Sequence, residues 1–424
     1  MNTKEIREYL NKSDTPELSK IYKDIYAAKN RYICALDAFT KKYGEREEVM
    51  ILSVPGRSEI LGNHTDHNNG KVIAGAIDRD IIAVAARRQD EKIHLLSEGY
   101  DEDVISLADI SSPKRFEKYT SGALIAGVAH GISTLGYNIG GFDAYATSDV
   151  LKGSGISSSA AYEVMIGNII NHLYCNGEIK NTELAKIAQC AENVYFGKPS
   201  GLMDQMACAV GGFVYIDFEN SKNPRVIPIE FSLSDEGYEL CIVNTGGSHA
   251  DLNEDYASVP NEMKAVASIL GREYLRGIKE TDIILKSNEI RSKAGDRAFL
   301  RAIHFVRENE RVERGLEALR NKNTEAFFKQ VRESGESSFQ YLQNVYTNKN
   351  VSEQGISVAL ALTDGFDDCS VGAFRVHGGG FAGTVQAYVR YGSADSYEQL
   401  MDSVFGKGSV MRLSIRPYGA IRVF

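Results

Sequence analysis

The segment Gly153-Ser154-Gly155-Ile156-Ser157-Ser158-Ser159-Ala160 lies between two stretches of different periodicity. Phe142 to Thr147 reads as a strand, and Ala161, Met165, Ile169 and Leu173 recur at helical spacing. A strand, a glycine-rich loop and a helix in that order limit what this part of the chain can become. Glycine allows positive φ and lets a ligand approach the backbone closely. The helix start directs unpaired N–H groups and the positive dipole end at an anion. Serine hydroxyls add hydrogen bonds or neutral oxygen ligands for Mg²⁺. Gly153, Ser154, Gly155, Ser157, Ser158 and Ser159 are therefore candidate phosphate-binding residues. The Gly-Lys-Ser/Thr ending of a Walker loop is absent, and the glycine spacing does not suit a nucleophile elbow. The plain alternative is a flexible loop that caps a helix.

Elsewhere, strands and helices mix without steady βαβ alternation, which predicts an α+β architecture. Residues 1–45 read mainly as helical. Glu48 to Val54 reads as a strand ending at a Pro55-Gly56 turn, and 72–77 and 80–86 as two strands around a tight Asp78-Arg79 connection. Helices are expected over 120–135 and from Thr182 to about Tyr195. Further strands are expected at 212–218, 225–229, 238–244, 371–376, 384–391 and 411–417, with helices filling most of the second half. A chain of 424 residues accommodates two domains. We place them at 1–205 and 206–424.

A formal charge of -9 argues against a general nucleic-acid binder, which would carry a basic face. No apolar run approaches the ~18 residues of a membrane span. The first residues are charged and lack the apolar stretch of a signal peptide. Six scattered cysteines, with no C-x-x-C pair, suit buried thiols in a reducing cytosol. A cytoplasmic protein is the expectation, and its oligomeric state is open.

Two further segments carry chemistry. Asn63, His64, Asp66 and His67 crowd donors and acceptors after Gly62, as directional recognition of a polyol requires. Two imidazoles and a carboxylate also admit a metal reading, although no upstream Asp-x-His accompanies them. A structural Asn/Asp/His turn is the third reading. Arg57 and Asp204 suit phosphoryl transfer to a hydroxyl: a carboxylate accepts the proton while a guanidinium balances charge on the phosphoryl group. An arginine beside Asp204 favours the ionised carboxylate, so a proton acceptor and a positioning group both stay open. The triplet Gly378-Gly379-Gly380 argues for backbone passing close to a ligand or another segment.

Taken together, the segments resemble the GHMP superfamily of small-molecule kinases, and within it the galactokinase family. The phosphate loop is similar to that family's Gly-x-Gly-Leu-Ser-Ser-Ser-Ala, with Ile156 in place of Leu. Gly201-Leu202-Met203-Asp204-Gln205 resembles its Gly-x-Met-Asp-Gln. Gly56 to Asn68 resembles Gly-Arg-Val-Asn-Leu-Ile-Gly-Glu-His-Thr-Asp-Tyr-Asn, and Val376 to Gly383 its Thr-Gly-Gly-Gly-Phe-Gly-Gly, with His377 for Thr. The resemblance implies a two-domain GHMP kinase fold: a ribosomal protein S5 domain 2-like N-terminal domain and a ferredoxin-like C-terminal domain, with the site between them. It implies ATP and Mg²⁺, with Arg57 and Asp204 catalytic and Ser159 and Glu192 as metal ligands. It places Asn63, His64, Asp66, Gly201 and Tyr256 at a small-molecule sugar, phosphorylated at its anomeric 1-hydroxyl. Further departures from the family are Glu59 for Asn, Asn63 for Glu, His67 for Tyr and Ala382 for a glycine, and the family's basic residues soon after the matched tyrosine are missing around Ala257–Asn261. Galactose is the expected substrate. Another sugar, a uronic acid, or a non-catalytic sugar sensor of the same fold are the alternatives.

Overall fold

The computed structural model describes residues 1–12, 15–150, 155–247, 252–367 and 369–424. Twelve strands are formed there: β1 Met50–Leu61, β2 Lys71–Arg87, β3 Lys92–Ser97, β4 Asp103–Ser106, β5 Phe142–Ser148, β6 Phe213–Asp217, β7 Arg225–Ile229, β8 Tyr238–Asn244, β9 Val371–His377, β10 Thr384–Arg390, β11 Val410–Leu413 and β12 Ile421–Arg422. By internal contacts the chain divides into two compact units. The first is Met1–Arg57, Ala76–Gly211 and Arg416–Phe424; the second is Ser58–Gly75 and Gly212–Ile415. The units exchange segments, unlike the single cut after residue 205 drawn from the sequence.

In the first unit the strand order is β12-β1-β2-β5-β3-β4. β2 and β5 are antiparallel, with Ile82 opposite Thr147, while β3 and β5 are parallel. Helix Ile25–Tyr43 begins at the N-cap Asp24, whose side chain accepts from Ala27 N–H. It buries Tyr32, Leu36 and Phe39 among Ile51, Ile82 and Val84 of the sheet. Helix Ser158–Tyr174 packs with helices Ser121–Ser133, Asn181–Cys190 and Met203–Val210. Its buried residues are mainly apolar and lie on all sides, as expected for a helix covered on several sides, with Glu163, Asn168 and Asn171 the buried polar exceptions.

In the second unit an antiparallel sheet runs β11-β8-β10-β9. The start of β2 pairs with β6, and β6 with β7. Helices Asn253–Ile269, Asp296–Arg320 and Thr324–Ser337 belong to this unit. The first two share a core built on Val259, Met263, Ala302 and Phe305.

Two expected turns are absent. β1 continues through Pro55 and Gly56 to Leu61. β12 pairs with β1 only at Leu52 and Ser53, so the missing Pro55 N–H costs no bond with that neighbour. β2 runs unbroken through Asp78-Arg79, a dipeptide without the glycine or asparagine that a two-residue hairpin needs. Residues 71–75 of β2 pair with β6 and 81–87 with β5, so Asp78 and Arg79 fall where its partner changes. The later strands form at or within a few residues of the expected positions. Among the described residues no helix is long and apolar enough to cross a membrane.

Candidate active site

In the first unit, Arg57 and Asp204 lie 147 residues apart in sequence and form a bidentate pair. Arg57 Nε donates to Asp204 Oδ1 at 2.7 Å and Nη2 donates to Oδ2 at 2.8 Å. Two parallel charge-assisted bonds are the strongest arrangement open to this pair. Arg57 Nη1 also donates to the Gly155 carbonyl at 2.7 Å, and Ser157 Oγ donates to Asp204 Oδ2. One guanidinium therefore joins the strand, the loop at Gly155 and the first turn of helix Met203–Val210.

The approach of strand to loop depends on Gly56. A Cβ there would lie 2.7 Å from the Ile156 carbonyl oxygen, the acceptor for Arg57 N–H at 3.1 Å. Burial alone would push the Asp204 carboxyl up. The Arg57 charge and hydrogen bonds, with Ser157, outweigh burial and hold it below its ordinary range. Asp204 is thus an ionised, weakly basic carboxylate whose side chain is 33% exposed.

Ser157 has φ 60°, in the left-handed region, and immediately precedes helix Ser158–Tyr174. Ser158 and Ser159 form the first turn of that helix, where unpaired N–H groups gather. Gly153 and Ser154 lie outside the described residues. Gly201 stands two residues before helix Met203–Val210.

Glu192 sits in a π-helical turn, Ala191–Phe196, directly after helix Asn181–Cys190. Its Oε1 accepts from Lys198 Nζ at 3.0 Å and its Oε2 from Gln205 Nε2 at 2.9 Å. The same Gln205 nitrogen donates to Glu163 Oε2 at 3.0 Å. Burial, then the nearby Glu192 charge, pushes the Glu163 carboxyl well up. Glu163 Oε1 is buried without a hydrogen-bond partner. Besides the two Glu192 oxygens, which the Lys198 and Gln205 nitrogens occupy, the unpartnered Oε1 atoms of Glu163 and Gln205 are hard oxygens, the donor type that Mg²⁺ takes one or two at a time with phosphate and water. Among the described residues no group of three His, Cys, Asp or Glu side chains could hold a metal ion.

The second unit holds the polyol motif. β1 ends at Leu61, and Gly62 turns the chain at φ 101°, where a Cβ would meet the Lys71 carbonyl oxygen at 2.4 Å. His64 is left-handed at φ 57°. Its Nε2 lies 2.9 Å from the Gly379 carbonyl, and burial lowers its pKa to about 4, so the ring is neutral and donates. Asp66 opens the short helical turn Asp66–Asn68, and its Oδ1 accepts from His67 N–H at 3.0 Å. Tyr256 OH donates to the Gly380 carbonyl at 2.9 Å, and its ring covers Gly379.

Asn63 is fully buried and saturated. Its Nδ2 donates to Glu59 Oε1 at 2.9 Å and to the Gly378 carbonyl at 2.8 Å. Its Oδ1 accepts from Asn344 Nδ2 at 2.8 Å and Ser338 Oγ at 3.2 Å. An amide has two donor and two acceptor positions, so none is left for a sugar. This differs from the sugar contact expected for Asn63: the side chain holds the turn to the glycine triplet. All three carbonyls of that triplet accept from side chains of this cluster, and close packing excludes side chains there: a Cβ on Gly379 would lie 2.7 Å from the Tyr256 ring and one on Gly380 2.0 Å from the Asn344 carbonyl oxygen. His377 is likewise internal, with Ser58 Oγ at 3.1 Å and Thr384 Oγ1 at 2.9 Å.

Sequence reading missed Gln205, Glu163 and Lys198. Gln205 was visible as the last residue of the segment carrying Asp204, and Glu163 stands four residues after Ser159, on the same helix face.

Residues 37–87 match the family model described as the galactokinase galactose-binding signature, and residues 123–212 match that of the GHMP kinases N terminal domain. A galactokinase of Streptomyces coelicolor is 32% identical over 376 residues, which cover 87% of this chain and 92% of that protein. One of Clostridium tetani is 28% identical, covering 87% and 91%. Among solved structures, Lactococcus lactis galactokinase complexed with galactose superposes with a TM-score of 0.76 at 24% identity, covering 91% of this chain and 98% of that one. A mevalonate kinase gives a TM-score of 0.60 at 17% identity, covering 86% and 99%. The fold is that of the GHMP kinases, and at 32% identity over 87% of its length with the Streptomyces coelicolor protein, the chain belongs to the galactokinase family.

Proposed function

We propose that this chain transfers the γ-phosphate of ATP to the anomeric 1-hydroxyl of galactose. The observation that carries the reading is the ionised Asp204, tied to Arg57 and Ser157 at the phosphate loop. A hydroxyl oxygen attacks phosphorus, the bond from phosphorus to the β–γ bridging oxygen breaks, and ADP leaves. The hydroxyl proton passes to Asp204. A loose transition state keeps that proton on the nucleophile until late, so a weak base suffices. Arg57 balances the negative charge that develops on the transferring group.

The Gly155–Ser159 segment, with Gly153 and Ser154 before it, receives the phosphates. Ser159 and Glu192 would hold Mg²⁺, which supplies positive charge against the β- and γ-phosphates. His64 and Asp66 read the sugar hydroxyls, with Gly201 and Tyr256 completing that site. Asn63 enters as the support of the turn. Residues 1–205 then contain every assigned group except Tyr256, the functional division we retain from the sequence. All six cysteines are free thiols, and we assign the protein to the cytoplasm on that ground.

The test is ADP release from ATP in the presence of a panel of hexoses, amino sugars and uronic acids, with and without Mg²⁺. Galactose should stimulate release most strongly, and chelation of Mg²⁺ should abolish it. Sugar-protected melting without any sugar-stimulated ADP would refute the assignment.

A further inference from the structure

Helix Asp296–Arg320 buries Arg301, His304, Glu308 and Arg311, spaced three, four and three residues apart. That is the spacing of an apolar seam, here occupied by polar side chains. Groups of this kind are buried only when hydrogen-bonded, so their partners show what they hold. The two middle residues reach the turn that leads into His64.

Glu308 Oε1 accepts from Gly62 N–H at 3.0 Å and from Ser334 Oγ at 2.6 Å. Its Oε2 accepts from Arg311 Nε at 2.7 Å. His304 Nε2 lies 2.9 Å from the Asn63 carbonyl, and its Nδ1 lies 2.9 Å from Ser337 Oγ. A carbonyl oxygen only accepts, so the proton is on Nε2, and Nδ1 accepts from Ser337. Burial lowers the pKa of His304 to about 4, which leaves the imidazole neutral in this role. The backbone it holds is unusual: Gly62 and His64 both have positive φ. For His64 that conformation needs support from surrounding structure.

We propose that His304 and Glu308 are positioning residues of the sugar site: they grip Gly62 N–H and the Asn63 carbonyl, and so aim His64 and Asp66 at the substrate. The inference rests on the proposed function, in which those two side chains read the sugar. Neither helix residue touches substrate. Both are about 240 positions away from the turn in sequence, and their signature is a polar stripe where an apolar one belongs.

The discriminating variants are His304→Gln and His304→Asn. A glutamine nitrogen reaches the place of Nε2 and keeps the bond to Asn63. An asparagine oxygen reaches the place of Nδ1 and keeps the bond to Ser337. Each loses one bond, so a merely structural role predicts equal effects. The KM for galactose should rise about tenfold in the Asn variant, the weight of one buried hydrogen bond, and stay within about threefold of wild type in the Gln variant. The KM for ATP should not move in either. Equal galactose KM values in the two variants, or a parallel rise in the ATP KM, overturn the proposal. If the Asn variant does not accumulate folded, Glu308→Met, of similar length but with no oxygen to accept from Gly62 N–H, replaces it, and the same rise confined to galactose is required. Asp66→Ala in the same series separates the two readings. An unchanged galactose KM there refutes the sugar-turn assignment; a raised one, with the His304 variants alike, refutes only the positioning role.

Discussion

Asp204→Asn keeps the shape of the side chain and removes its charge, so the structure makes separable forecasts for stability and rate. Three donors converge on the carboxylate: Arg57 Nε, Arg57 Nη2 and Ser157 Oγ. An amide offers one oxygen and turns its nitrogen towards at least one of those donors. Breaking a fully buried ion pair costs about 3–5 kcal/mol. Here the Arg57 and Asp204 side chains are 10% and 33% exposed. Solvent screening discounts the figure to about 1–3 kcal/mol. On the rate, loss of a positioned proton acceptor costs about 10²–10⁴-fold in kcat, or about 3–5.5 kcal/mol on the barrier. Ser158 and Ser159 are untouched, so ATP affinity should stay within about threefold of wild type. Galactose-dependent ADP release gives kcat, a fluorescent nucleotide gives affinity, and urea unfolding gives stability. A kcat within about fivefold of wild type, with the loss of stability present, would refute the reasoning. Asp204 would then be a strut for Arg57 and nothing more.

Asn63→Glu sets a second carboxylate, at a fully buried position, against the buried Glu59, which lies 2.9 Å from the present amide nitrogen. It should destabilise the fold by about 2–4 kcal/mol, and adding Glu59→Asn should restore at least half by urea titration. A single variant as stable as wild type would contradict this. Asp80 is fully buried between Arg416 at 3.0 Å and Arg31 at 2.9 Å. Burial pushes its carboxyl up, but Arg416 and then Arg31 outweigh that and lower it. A lowered folded pKa stabilises above the unfolded carboxylate value, about 3.9, and that contribution is lost as pH falls through the folded one. Asp80→Asn should therefore cost about 3–5 kcal/mol at pH 7, with the gap to wild type narrowing in acid; a gap independent of pH would count against the pairing.

The parts of the site that could be read in sequence are those where a local stretch carries its own chemistry. The loop before Ala160 announces a helix start with room for an anion, because glycine spacing and helix periodicity are local properties. The run from Gly62 to Asp66 announces directional polar contacts in the same way. What could not be read is who meets whom. Asn63 looked available for a ligand because four empty hydrogen-bonding positions are the default for an isolated amide. Only folding fills them, with Glu59, Gly378, Ser338 and Asn344. Arg57 and Asp204 were paired by family likeness, but the bidentate geometry, and the depressed carboxyl that follows from it, belong to the folded chain.

Sequence by itself determined the α+β class, the helix after the phosphate loop and the residue types able to hold a phosphate and a polyol. These depend on backbone preferences and side-chain chemistry that act over a few residues. The tertiary structure alone decided that β1 and β2 run straight through their apparent turns, that segments are exchanged between compact units, and that His304 and Glu308 hold a turn some 240 residues upstream. Those outcomes depend on partners brought close by burial of the whole core, and contact between distant segments leaves no periodic trace along the chain.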